Sequence, residues 1–500
     1  MLTINLNTAS AIPLYEQIYI FIRDEIKAGR LCYRNKLPST RNLAANLGVS
    51  RNTVDMAYAQ LISEGYIESV PKSGYYISMI TELTHIKTPP KSKQPPVTKN
   101  NQPFLYDFSP FAIDINSFPY NIWRKLSKNC MNESNNDLFL LGDNQGDESL
   151  RKAITDYLYS SRGVNCTPEQ IIVGAGADYL LQLLAQLFHM MHSEKNKFTD
   201  KNNFTDEQEA KDGFLTVEHR NPLTIAMENP AYKRAFRIFK GLEFNTVPIS
   251  LDQNGIKIEE LEDSAANLVY VTPSHQYPLG IVMSIKRRLE LLQWACKTPN
   301  RYIIEDDHDS EFRYKGKPIP ALQGIDSNGN VIYIGTFSRA IAPAIRVGYM
   351  VLPKKLLTLY KKYLFYYSST VSRMDQYILT HFINDGYFER HLNKIRKLYK
   401  SKHDSLIQNL KPFKSSLIIE GENAGLHLVL RLKTKLTEEE LIELAAKSGI
   451  RLYGLKEHYI SLKEPYLTTT FLLGYANLTE IEIQKGIQLL YKVLKDYLLP

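Results

Sequence analysis

Ser50-Arg51-Asn52-Thr53 is the tetrapeptide of this chain with the most specific chemistry to offer. Arginine can bridge O6 and N7 of guanine and asparagine can pair with adenine, provided both project from the first turn of a helix into a major groove. The start of that helix would also present its positive end to phosphate. Arg41 upstream and Lys72, followed by Ser73 and Gly74, add groups suited to phosphate or minor-groove contact. A second concentration of chemistry is Asp306, Asp307, His308, Asp309 and Glu311. These are metal-ligand types, but at the end of a strand they equally make a loop neutralised by ion pairs; the reading adopted is the loop, without a metal. Cys32, Cys130, Cys166 and Cys296 lie far apart with no CxxC pair, so neither a zinc site nor a disulfide framework is expected.

The elements that would position the first group can be read from spacing. Leu14, Ile18, Ile22 and Ile26 recur every four residues and mark the buried face of a first helix. Ser39 can cap a second helix with Leu43 and Leu47 on one face, and Gly48-Val49 make the turn. Ser50 caps a third helix whose inward stripe is Val54, Ala57, Tyr58 and Leu61. Tyr66 to Ile77 then reads as two short β-prone runs around a turn that ends in Gly74, a wing. Helix, glycine-containing turn and helix form a helix-turn-helix, which serves DNA recognition or, alternatively, a small helical protein-binding module with surface arginines.

At 500 residues the chain needs more than one core. A net charge of +8 permits a polyanionic partner without requiring one. Residues 1–78 form the compact helix-rich part. Residues 79–104, with Lys87, Lys91, Lys93 and Lys99 against Glu82 alone, read as a Pro/Lys-rich linker. From 105 to 500, strand-like runs at Ile171 to Val173, Leu223 to Met227, Leu268 to Thr272, Tyr302 to Glu305 and Val331 to Gly335 alternate with helical segments such as Ile285 to Cys296. That alternation predicts an α/β domain with a mainly parallel sheet. Beyond about residue 355, long helices, short strands near Gly425 to Leu432 and Thr468 to Ala476 and a final helix predict a small α+β subdomain. The polar stretch 193–212 reads as a surface loop or disordered excursion. No signal peptide or membrane-length apolar run is visible, so a cytoplasmic protein is expected.

Pro13-Leu-Tyr-Glu-Gln-Ile, Leu37-Pro-Ser-Thr-Arg-Asn-Leu-Ala, Leu47-Gly-Val-Ser-Arg-Asn-Thr-Val and Leu61-Ile-Ser-Glu-Gly-Tyr-Ile closely resemble the winged helix-turn-helix domain of GntR-type regulators. The resemblance implies double-stranded DNA as partner, contacted by Arg41, Ser50, Arg51, Thr53 and the wing around Lys72 to Gly74, with Asn52 added from the chemistry above. Further along, Val173-Gly-Ala-Gly-Ala-Asp-Tyr-Leu, Glu228-Asn-Pro-Ala-Tyr, Thr272-Pro-Ser-His-Gln-Tyr-Pro-Leu-Gly, Ile304-Glu-Asp-Asp-His-Asp-Ser-Glu-Phe-Arg-Tyr and Gly335-Thr-Phe-Ser-Arg-Ala-Ile-Ala-Pro-Ala-Ile-Arg-Val-Gly-Tyr occur in the order seen in fold-type I aminotransferases. The combination resembles the MocR subgroup of GntR regulators, in which both domains occur in this order.

That fold is built around pyridoxal phosphate, which the resemblance brings as the candidate cofactor. Backbone N–H groups of Gly174 to Ala177, Gly176 among them, would face a phosphate. Asp306 would pair with the pyridine nitrogen, Tyr232 would stack on the ring and Arg346 would clamp the phosphate or, alternatively, pair with the acidic loop. His275 and Gln276 either line this pocket or satisfy backbone groups, while Thr336 and Ser338 belong to the motif that ends in Arg339. The family's Schiff-base lysine is Arg339 here, a guanidinium with no free amine lone pair. His308 stands where the family has tyrosine, Ala177 replaces a hydroxyl- or amide-bearing residue, and Leu472 replaces the arginine for a substrate carboxylate. The resemblance therefore implies a regulator, not an enzyme. Any pyridoxal phosphate would be held non-covalently, a small anionic effector is the alternative ligand, and a head-to-tail homodimer is expected; the competing reading, a working aminotransferase with an appended DNA-binding domain, is the one Arg339 speaks against.

Overall fold

Ile18, Ile22 and Ile26 bury one stripe of helix α1 (Leu14–Lys27) against helix α3 (Arg51–Ser63), whose Val54, Ala57, Tyr58 and Leu61 complete the core of the N-terminal unit. Between them lie strand β1 (Lys36–Leu37) and helix α2 (Thr40–Leu47). Ser39 Oγ accepts from the Asn42 N–H to start α2, and Gly48, at φ 65°, ends it in the left-handed region that glycine adopts without strain. The wing is β2 (Ile67–Val70) and β3 (Gly74–Ile77), and β1 adds a third antiparallel strand in the order β1-β3-β2. This computed structural model describes residues 4–8, 10–79, 104–201, 223–314, 319–461 and 469–500, and separates into the units Met1–Asn101 and Gln102–Pro500. Residues 80–103, the heart of the expected linker, fall outside the described residues.

In the second unit, runs such as Ile171–Gly174 and Leu268–Val271 are buried at every position. A strand covered on both faces is apolar throughout, not alternating. The main sheet runs in the order Ile171–Gly174, Gly348–Val351, Val331–Thr336, Tyr302–Asp307, Leu268–Val271, Thr224–Asn229, Asn245–Asp252 and Gly255–Ile256. The pairings from Val331–Thr336 across to Asn245–Asp252 are parallel, whereas Gly348–Val351 runs antiparallel to both neighbours. Helices including Ala177–Lys201, Ile285–Lys297 and Lys354–Tyr363 cover it. The smaller subdomain carries an antiparallel sheet of Leu417–Glu420, His427–Leu432, Thr469–Gly474 and Tyr453–Gly454. Against the expected loop over 193–212, the helix that begins at Ala177 continues to Lys201, because the polar residues extend a helix already nucleated by its buried first turns. Residues 202–222 are outside the described residues. Among the described residues no helix is long and apolar enough to cross a membrane.

The carboxyl ends of the parallel strands converge where ligands bind in open α/β sheets. One buried ion pair holds that edge. Arg162 Nε donates to Asp307 Oδ2 at 2.8 Å, with both side chains under 5% exposed. The same guanidinium donates to Ser274 Oγ at 2.6 Å, and Tyr333 donates its hydroxyl to Asp307 at 2.6 Å. Arg162→Ala leaves a buried carboxylate without its counter-charge and is expected to destabilise this unit by roughly 3–5 kcal/mol. Urea unfolding followed by near-UV circular dichroism measures it; a loss under about 1 kcal/mol would rule out this anchoring role.

Candidate functional site

At the start of α3, Ser50 Oγ accepts from the Thr53 N–H at 3.2 Å and lies 2.8 Å from Thr53 Oγ1, so these two hydroxyls close the cap. Arg51 and Asn52 project into solvent, and among the described residues Arg51 pairs with Asp55 at 3.4 Å one turn on. Arg41 is exposed on α2. Lys72 is exposed at the wing tip with φ 65°, followed by Ser73, 2.6 Å from the Tyr76 hydroxyl, and by Gly74 at φ 117°. The fold adds Lys36, which was not singled out in the sequence. It pairs across from Tyr76, and a Cβ on Gly74 would lie 3.3 Å from its Cε, so Lys36 joins Lys72 on the wing. Strand pairing creates that neighbourhood, and no local pattern announces it.

In the second unit a cavity of about 240 Å³ opens at the carboxyl edge of the sheet. Ala177, Tyr232, Asp306, His308, Thr336, Ser338, Arg339 and Arg346 all line it. Gly176 backs Arg346, since a Cβ there would stand 3.1 Å from the guanidinium. His275 and Gln276 are buried and do not line the cavity. His275 Nδ1 lies 3.0 Å from Asp309, and Gln276 donates to the Pro230 and Tyr277 carbonyls. Arg346 does not meet the acidic loop. It donates to the Ala175 carbonyl at 3.0 Å and lies 3.4 Å from Asp178, because its backbone, at φ 52°, turns it toward the Gly174 to Ala177 turn. Leu472 packs in an apolar cluster with Tyr277, Leu279, Val429 and Leu455.

Arg339 reaches across the cavity and donates to the Pro110 carbonyl at 2.8 Å, beside Phe111. Asp306 accepts from the Tyr270 hydroxyl. Burial pushes its carboxyl up, against the opposing influence of His308 and that hydrogen bond. Burial also lifts Tyr232 to about 12, keeping it neutral. Asp309 lies between His275 and His308, the latter with Nε2 at 3.3 Å. Burial opposes ionisation of this acid, but the two imidazoles hold it well below the ordinary carboxylate range. The three side chains bring ligand-type atoms within 4.8 Å of one another, a donor set that could take a metal ion. Elsewhere in the loop the acids find ion-pair and hydrogen-bond partners: Asp307 meets Arg162, Glu305 accepts from the Leu322 and Gln323 N–H groups, and Tyr157 donates to Glu311.

The residues fit pyridoxal phosphate only in part. Asp306, Tyr232 and Arg346 would be the acid, ring wall and cation that the group needs, but no lysine lines the cavity among the described residues, and an acid, Asp178, stands just after the Gly174 to Ala177 turn. Asp178 Oδ2 is 3.2 Å from Arg234 and 3.4 Å from Arg346.

A helix-turn-helix with a wing, joined in one chain to a large, mostly parallel sheet with a smaller α+β part, defines a DNA-binding transcription regulator carrying an aminotransferase-fold unit. Residues 14–77 match the bacterial regulatory proteins of the gntR family, and residues 113–196 and 209–490 match aminotransferase class I and II. The chain is 38% identical to the uncharacterized HTH-type transcriptional regulator YdeL of Bacillus subtilis over 97% of each chain. It is 31% identical to the probable rhizopine catabolism regulatory protein MocR of Rhizobium meliloti, over 95% of this chain and 92% of that one. Kynurenine aminotransferase of Pyrococcus horikoshii superposes with a TM-score of 0.63 at 22% identity, covering 79% of this chain and 92% of its own, a likeness of fold. This protein belongs to the MocR-type branch of the GntR regulators.

His308 gives the cavity a testable pH signature. Burial opposes its charge, but Asp309 beside it outweighs burial and raises its pKa above 6.5. A raised folded value stabilises in full below the unfolded pKa and is lost as pH climbs through the folded one. The thermal midpoint of the native protein should therefore fall more steeply as pH rises above about 6.5 than that of His308→Gln. Parallel curves would show that His308 does not change charge on folding.

Proposed function

We propose that this regulator binds operator DNA through Arg51 and Asn52 at base edges, with Arg41, Ser50, Thr53, Lys72, Ser73 and Gly74 fixing the phosphate backbone and wing. Its effector unit senses a small ligand bearing an anionic group without forming a covalent bond to it, and it performs no transamination. The observation that carries this reading is Arg339. A guanidinium remains protonated and is no nucleophile, and here it donates to the Pro110 carbonyl. When bound, pyridoxal phosphate supplies an electron sink for amino-acid chemistry. This chain's residues are suited to holding a ligand without reacting with it. Arg339 braces the cavity wall, Tyr232 stays neutral as a second wall, and Asp306 offers a buried acid.

The domain division follows the same reading: winged helix at 1–78, linker at 79–104 and effector unit at 105–500, with the small subdomain from about 355. A cytoplasmic homodimer, head-to-tail by family resemblance, is supported by exposed Phe139, Leu140, Leu141 and Tyr366. These belong to neighbouring segments, since Asn144 donates to the Phe365 carbonyl. Exposed apolar groups so close together are what a second copy would cover. Ligand binding would then change which half-site spacing the paired winged helices can reach.

Two measurements test this. Arg51→Ala should weaken operator binding by about 1–3 kcal/mol and relax specificity at one base pair, while Lys72→Ala should weaken all duplexes alike and lower the salt slope by about 1; equal effects of both on random DNA would remove base reading from Arg51. Borohydride reduction after pyridoxal phosphate addition should leave no adduct at the cavity of the native protein and one at position 339 of Arg339→Lys, located by peptide mass mapping. A native adduct at the cavity, or turnover of amino donors, overturns the non-covalent reading.

A further inference from the structure

The helix that starts at Ala177 opens toward the cavity, and the first-turn residue that meets the arginines there is Asp178. A helix start attracts an anion through its unpaired N–H groups. In this chain the anion is supplied internally. Asp178 Oδ2 bridges Arg234 and Arg346, the two guanidinium groups at that end of the cavity, at 3.2 and 3.4 Å. Gly176 allows the approach, since any side chain there would meet the Arg346 guanidinium.

Charge count points the same way. Three arginines, Arg234, Arg339 and Arg346, face two acids, Asp178 and Asp306, leaving one positive charge before His308 is considered. A monoanion balances that excess, whereas a phosphate monoester brings nearly two negative charges and must displace or face Asp178. Arg339 stands apart from the bridged pair, with the Pro110 carbonyl as its hydrogen-bond acceptor among the described residues. Its fork therefore retains donors for a planar carboxylate. The side walls are aromatic, with Phe111 and Tyr232 each 5.7 Å, centre to centre, from Tyr277.

We propose that Asp178 is a built-in surrogate for the phosphate group, making this cavity selective for an unphosphorylated, monoanionic ligand whose carboxylate pairs with Arg339. The inference rests on the reading that the effector unit holds a small ligand non-covalently. It adds that the phosphate seat is already filled by the protein, which makes Asp178 a specificity-determining residue.

The test compares pyridoxal 5′-phosphate, unphosphorylated pyridoxal and inorganic phosphate by equilibrium dialysis against the full chain and Asp178→Asn. In the native protein the phosphate should add nothing, so pyridoxal 5′-phosphate binds no more tightly than pyridoxal, and inorganic phosphate does not compete. Asp178→Asn should bind pyridoxal 5′-phosphate about tenfold more tightly than the native chain, equivalent to ~1.4 kcal/mol. Arg346→Gln in the same background should abolish the gain, which separates a freed seat from a loosened fold. The proposal fails if the native protein prefers the phosphorylated compound by tenfold or more, or if Asp178→Asn gains no affinity for it, including the case in which neither protein binds it. A borohydride-stable adduct on the native protein would instead sink the non-covalent reading, leaving the phosphate comparison to be decided by affinity alone.

Discussion

The buried pair between Arg162 and Asp307 is the constraint on which the rest of the effector unit hangs. It fastens the end of the helix Glu148–Arg162 to the carboxyl end of the strand Tyr302–Asp307, and through Ser274 to the loop after Leu268–Val271. Three of the site's side chains then stand within two residues of Asp307. Asp306 is directed into the cavity, His308 lines it and Asp309 lies beneath. A pair this well buried contributes through placement more than through net energy, since desolvation offsets most of the attraction.

The cavity of this aminotransferase-fold unit is dense in paired charges. Arg339, which lines the cavity, serves as a brace to the Pro110 carbonyl. Asp178 offsets the arginine charge at the far end, and His308, in the lining, pairs with the buried Asp309 beneath it. Each of these contacts pairs a cavity charge within the protein itself. The fold survives because its stability comes from apolar strands such as Leu268–Val271 and the helices on both faces, not from the groups at the carboxyl edge.

Legibility from sequence tracked how local the determinant was. The caps at Ser39 and Ser50 and the stop at Gly48 are each set by neighbours within a few residues, and the helices begin and end where those signals stand. The apolar runs became strands of the main sheet for a similar reason: burial on both faces leaves a continuous signature. Strands that depend on partners were invisible, including the two-residue Lys36–Leu37, the Pro-containing Asn245–Asp252 and the short antiparallel Gly348–Val351. In the cavity, motif order brought Asp306, His308, Arg339 and Arg346 together, but their partners came from elsewhere in the chain. Arg346 found Asp178 and Arg339 found Pro110, and neither pairing has a sequence signature.

The segment Tyr106–Pro110 is held on two sides. Tyr106 and Phe108 donate to the Gly449 and Arg451 carbonyls, and the Gly474 N–H donates to the Phe108 carbonyl, in contact so close that a Cβ on Gly474 would strike Ser109. Arg339, from the turn after the strand Val331–Thr336, grips the next carbonyl but one. This short stretch therefore spans the seam between the two halves of the effector unit like a strain gauge glued across a joint. Any sliding of the small subdomain against the sheet would load the Arg339 bond to Pro110.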